Sequence, residues 1–186
     1  RDLQCVVDIK QGNSTADTLY KLELLMKQAG ITIADRKVVA AARTREEITS
    51  TPCVAIELVD GTIVTGKTTE LLGASAACLL NCLKILAGID HDVHLVSPMA
   101  IKPIQSLKTN YLGSHNPRLH TDEILIALSM SAASNKNAKK ALQALSQLKG
   151  CEVHSTVFLS NVDQSVFKKL KMHLTCDAKS SCKSGA

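Results

Sequence analysis

Between Leu112 and Glu123 the chain gathers His115, Asn116, Arg118, His120, Thr121 and two carboxylates in one turn-rich stretch, LGSHNPRLHTDE. The apolar run Ile124–Leu128 follows directly. Side chains of these types suit an anion. Arg118 offers a planar fork of donors to a carboxylate or phosphate, and an imidazole can move a proton near neutral pH. Gly113 and Pro117 fix the loop, and the helix predicted behind it adds amides and partial positive charge. His115 and His120 lie five apart with Asn116-Pro117 turning the chain between them. Only loop geometry, not a helix face, can bring them together. The stretch matches no reaction template.

A second chemical string is Gly61 to Thr68, GTIVTGKT, which satisfies the phosphate-loop pattern G-x-x-x-x-G-K-[ST] letter for letter. A phosphate loop needs a glycine-rich turn between a strand and a helix. Here the four intervening residues are all β-branched, and such residues favour extended chain. Asp60-Gly61 is instead a preferred hairpin turn, with Thr62–Thr65 as the return strand. Lys67 remains a candidate ligand-binding cation ahead of the next helix.

His91 and His94, in DHDVH, have the look of a metal cluster but read better as a polar loop. His154, in CEVHSTV, lies within a predicted strand and needs hydrogen-bond partners if buried. The seven cysteines are odd in number and mostly sit in apolar runs, as free thiols do in a reducing compartment. Cys78 and Cys82 share a helix face without further ligands at zinc spacing, so no metal site is expected. No motif names a cofactor.

The elements that must position these residues follow from periodicity. Leu19, Leu22, Leu25 and Met26 mark a helix stopped by Gly30, while Leu3–Ile9 stays ambiguous between strand and helix. Lys37–Arg43, KVVAAAR, reads as a buried strand and Thr44–Pro52 as a charged loop. Val54–Val59 and Thr62–Thr65 form the hairpin, and Ser75–Ala87 a core helix closed by Gly88. Val93–Val96 suggests a short strand. Ser97-Pro98 opens a helix that should break at Pro103. Thr121 is expected to cap a helix over 124–133. Asn137–Leu148, Val153–Leu159, Asp163–Leu170 and His173–Cys176 then read as helix, strand, helix and strand. This is an α/β fold: helices layered over a mixed sheet with one β-hairpin.

Composition narrows function. The chain of 186 residues has only two Tyr, two Phe and no Trp, and its net charge of +5 is scattered apart from Lys168, Lys169 and Lys171. Base stacking has little to work with, so no nucleic-acid partner is expected. The most apolar window, Leu71–Ile89, is interrupted by Asn81 and Lys84, which argues for a core helix and no membrane span. A cytoplasmic location is expected. The start at Arg1 suggests a fragment, divided into a truncated leading segment (1–13), a C-terminal α/β domain (14–178) and a disordered tail (179–186).

Several long strings in order, VTGKTTELLGASAACLLNCLK, YLGSHNPRLHTDEILIALS, LKGCEVHSTVFLS and the shorter ADRKV, resemble the C-terminal part of a mainly bacterial family. It is catalogued as domain of unknown function 1846, and the likeness runs from about Ala16 to Asp177. It implies an α/β fold in a longer protein, whose N-terminal portion carries its own phosphate-loop-like segment. Some members carry the label of ATP-dependent peptidase, but no H-E-x-x-H or nucleophile motif supports that here.

Two readings of function result. In the first, Lys67, His115, Asn116, Arg118, His120 and His154 complete a site for an anionic or phosphorylated small molecule, a nucleotide included. The missing N-terminal domain supplies the remainder, Arg118 clamps the anion, and one histidine is an acid or base. In the second, the domain is a packing and assembly module of a homo-oligomer.

Overall fold

In the computed structural model, which describes residues 16–29 and 36–179, four strands form a mixed sheet in the order β2-β1-β3-β4. Their spans are β1 Cys53–Glu57, β2 Ile63–Lys67, β3 Glu152–Ser155 and β4 His173–Cys176. β1 pairs antiparallel with both β2 and β3, and β3 pairs parallel with β4. The mixed sheet and its hairpin were legible in advance. Leu3–Ile9, Gly30 and the tail beyond Lys179 lie outside the described residues.

Helices cover both faces. The first, α1 (Ala16–Ala29), fulfils the helical spacing of its leucines. On one face of the sheet, α2 (Lys37–Thr49) buries Val38, Val39 and Ala42 against Ala55. The opposite face carries Val54, Ile56, Val64 and Val153 into the main core. This core is built with α3 (Ala74–Leu86), α5 (Thr121–Ser131), α6 (Lys136–Gln143) and α7 (Asn161–Lys169). Between α3 and α5 lie α4 (Pro98–Ser106) and a π-helical turn, Leu107–Tyr111.

The hairpin turn sits one residue earlier than Asp60-Gly61, with Val59 and Asp60 at its centre. Gly61 N–H donates to the Leu58 carbonyl at 2.9 Å, and Leu58 N–H donates to Thr62 at 2.9 Å. Gly61 sits at φ +85°, a conformation that costs glycine least, so it ends the turn rather than occupying its middle. The phosphate-loop pattern is therefore a turn and an extended strand.

Several expectations are corrected. KVVAAAR is the first half of α2, not a strand, and the helix takes in most of the segment read as a charged loop. Three alanines favour helix, and Val38, Val39, Ala42 and Glu46 recur at helical spacing on the face turned to the sheet, with Lys37, Ala40, Thr44 and Glu47 on the exposed side. Val93–Val96 forms no strand; Leu95 and Val96 are buried in the main core without strand pairing. Helix α4 passes through Pro103 without breaking. The ladder resumes where Leu107 N–H bonds the carbonyls of Pro103 and Ile104. Thr121 does not cap α5, because its N–H and hydroxyl both donate to Asp163 Oδ1 on α7, at 2.9 and 2.8 Å. His120 is the capping residue instead, and Glu123 accepts its N–H at 2.8 Å. The helix expected over 137–148 tightens to a 3₁₀ turn at Ala144, and the strand expected over 153–159 ends at Ser155.

Candidate cleft along the β2 edge of the sheet

Because β1 hydrogen-bonds β2 through Val64 and Gly66, alternation turns the main-chain groups of Ile63, Thr65 and Lys67 outward, toward no strand among the described residues. Thr68 N–H to Pro52 O at 3.0 Å continues the same register. Helix α3 lies directly against β2, which Gly66 makes feasible. A Cβ there would stand 2.5 Å from Cys78 Cα and 2.7 Å from its Cβ. The close approach brings Asn81 to the strand edge, where its Nδ2 donates to the Thr65 carbonyl at 3.0 Å.

A cleft of about 650 Å³ opens along this edge. Arg45 from α2, Lys67 from β2 and Lys84 from α3 line it, with His91, Asp92 and His94 from the following loop. Its size suits a small ligand. Lys84 Nζ donates to His91 O at 2.6 Å, its one protein acceptor among the described residues. Burial pulls its ammonium below the ordinary lysine range, while Asp92 and Asp90 pull it back up. The side chains of Arg45 and Lys67 form no ion pair among the described residues. Three cations therefore line a space to which, among the described residues, a single carboxylate contributes.

Of the ligand-binding candidates from sequence, Lys67 lines this cleft and His115, Asn116, Arg118, His120 and His154 do not, while His91 and His94, read there as a polar loop, do. Arg118 reaches its rim: Nε donates to the carbonyl of Thr69, a lining residue, at 2.7 Å. Asn116 Oδ1 accepts Arg118 N–H at 3.1 Å and shapes the loop, while His115 is exposed. His120 stands 3.4 Å from Lys108, a buried lysine of the π turn. Lys108 Nζ donates to Arg118 O at 2.6 Å and Glu123 at 2.7 Å, so it ties both ends of the loop.

His154 lies elsewhere, fully buried beneath α2. Its Nδ1 is 3.0 Å from Thr175 Oγ1 and its Nε2 3.6 Å from Asp177 Oδ1, too long for a hydrogen bond. Arg43 grips Asp177 through two bonds, at 2.6 and 3.1 Å. Burial opposes ionisation of Asp177, but His154 and Arg43 outweigh it and hold the carboxyl well below its usual range.

Arg45, Asn81, Lys84 and Lys108 were not singled out from sequence as site residues. A signal existed for two of them. Asn81 and Lys84 interrupt an apolar helix three residues apart, which puts both on one face. The five described cysteines, Cys53, Cys78, Cys82, Cys151 and Cys176, are buried free thiols. Among the described residues, no group of three or more His, Cys, Asp or Glu side chains could hold a metal ion. Nor is any helix there long and apolar enough to cross a membrane.

These features define an α/β domain with a cation-lined cleft along β2, the edge strand of the sheet among the described residues. The chain belongs to the family described as Domain of unknown function DUF1846, C-terminal, which it matches over residues 34–184. It is 50% identical over 179 residues to a UPF0371 protein of Corynebacterium urealyticum, covering 96% of this chain and 36% of that protein. A UPF0371 protein of Corynebacterium diphtheriae is 57% identical over 156 residues, covering 84% and 31%. A Streptococcus thermophilus UPF0371 protein is 50% identical over 177 residues, covering 95% and 36%. The chain thus spans about a third of the length of these relatives.

Proposed function

We propose that this domain binds a phosphorylated small molecule in the cleft along β2, and that the part of the longer relatives outside this chain completes the site. One observation carries the reading: Arg45, Lys67 and Lys84 line one cleft beside outward main-chain N–H groups, with few acceptors for them among the described residues. Arg45 and Lys67 are exposed and in no ion pair with a described residue, so an anion can take their donors without breaking an existing pair, while Lys84 is the one of the three whose charge burial opposes. Lys67 and Arg45 hold the phosphate. Arg118 acts from the rim by fixing Thr69, and His115, Asn116 and His120 belong to the loop that carries it. His154 supports the sheet from beneath α2. The buried thiols suit a reducing compartment such as the cytoplasm.

The test is thermal stabilisation of the purified protein by ribose 5-phosphate. At a hundred times the dissociation constant, binding adds about 2.7 kcal/mol, a rise of roughly 5–10 °C for a domain of this size. Lys67→Ala and Arg45→Ala should abolish that rise and leave the ligand-free melting point nearly unchanged, since exposed charges contribute little to folding. Failure of the unaltered protein to respond sinks the proposal.

A packing or homo-oligomer role is favoured by a different observation. Met99, Leu107, Tyr111 and Leu112 are all exposed along α4 and the π turn. Light scattering that finds a monomer at high concentration would remove this second reading.

A further inference from the structure

The cleft is only part of a longer groove. A second cavity, of about 230 Å³, adjoins it, and the two share Thr65, Asn81, Lys84 and His91. Together they follow the outer edge of β2 from Lys67 back to Ile63, four residues or roughly 13–14 Å of extended chain. The ends differ in chemistry. Lys67 and Arg45 make one end cationic, whereas Ile63, Ile85 and Ile89 wall the other. Ile85 is 50% exposed, an aliphatic side chain left open beside a polar edge.

That edge alternates donors and acceptors. Ile63 presents both its N–H and its carbonyl outward, and Thr65 presents its N–H, its own carbonyl being held by Asn81. An aliphatic wall beside such an edge complements a heteroaromatic ring, which has apolar faces and a polar rim. A bare sugar phosphate would leave the aliphatic end wet. A chain of several phosphates would meet Asp92 in the cleft wall and Asp90 close to Lys84.

Resting on the anion reading above, we infer that the groove takes a nucleoside monophosphate. Its phosphate lies at Lys67 and Arg45, and its base packs against Ile85 and Ile89 with its rim on the main chain of Ile63 and Thr65. Ile85 and Ile89 are then the residues that distinguish a nucleotide from a smaller phosphate ester.

Calorimetric titration of the purified protein with inorganic phosphate, ribose 5-phosphate and the four ribonucleoside monophosphates tests this. At least one nucleotide should bind about tenfold or more tightly than ribose 5-phosphate, the scale on which an apolar pocket discriminates. Ile85→Glu, at a half-exposed position, should erase that advantage while ribose 5-phosphate binds as before. Ile85→Ala should reduce it by several-fold. If every nucleotide binds no better than ribose 5-phosphate, and all are lost in Lys67→Ala, the inference falls while the anion reading stands. A nucleotide preference untouched by Ile85→Glu also overturns it. If no phosphate compound binds, both fall together.

Discussion

Replacing Gly66 with alanine separates a packing role from a phosphate-cradling one. The new Cβ would stand 2.5 Å from Cys78 Cα and 2.7 Å from its Cβ, and closer still to its main-chain nitrogen. The obstacle is helix backbone, which cannot swing aside like a side-chain tip. Relief requires α3 to retreat from β2, and α3 carries Ala76, Leu79, Cys82 and Leu83 into the main core. Overpacking of this kind costs about 3 kcal/mol at the upper end of its usual range. Stiffening of the unfolded chain returns about 0.5–1 kcal/mol. The net loss of roughly 2 kcal/mol lowers the melting temperature by about 4–8 °C. Gly61→Ala serves as the control. Gly61 has no heavy atom near its Cβ position, and only its φ of +85° penalises a side chain, by about 1 kcal/mol. Calorimetric melts of both variants decide the matter. If Gly66→Ala melts within a degree or two of the parent, or Gly61→Ala falls further than Gly66→Ala, the packing argument is wrong.

Asp177→Asn removes a buried charge from Arg43 and His154 and should cost about 3 kcal/mol at neutral pH. Because the folded carboxyl is held below its usual range, its contribution is complete above the unfolded value of about 4 and disappears as pH falls through the folded value. Urea titrations from pH 7 downward should show parent and variant converging only on the acid side of about pH 4; a constant gap would refute the linkage. Lys108→Met strips donors from the Arg118 carbonyl and from Glu123, at a cost of about 2 kcal/mol. Hydrogen exchange should then quicken across residues 112–120, and unchanged protection there would show that the loop holds itself.

Where local signals were strong, the fold could be read in advance. Asp60-Gly61 announced the hairpin, and Gly88 at φ +63° ends α3 as expected, its N–H bonding Ile85 O. KVVAAAR misled because a seven-residue window shows only its apolar content. The helical period emerges once the window is extended to Glu46, which falls on the same face as Val39 and Ala42 and, with Arg43, fastens α2 to Thr156 and Asp177. Val93–Val96 misled in the opposite sense, since burial of Leu95 and Val96 comes from neighbouring helices and not from strand pairing. The cleft was the least legible part. Arg45, Lys67, Lys84 and His91 belong to four separate segments, and only the folded sheet edge brings them together. Residues clustered in sequence, His115 to His120, instead spend their polar groups largely on building their own loop.

The central strand β1 acquires its two neighbours at very different times during synthesis. Its hairpin partner β2 follows at once, but Ala55 must wait for His154 to form its other pairing. A ribosome therefore releases the hairpin and α3 well before β3 exists. Over that interval the inner margin of β1, a run of Cys, Val, Ala and Ile, stands unsatisfied and ready to join strands of another nascent chain. Loop closure over so long a separation is slow. Translation speed and chaperone supply across the segment encoding residues 68–151 should therefore govern how much of this protein reaches its native state in the cell.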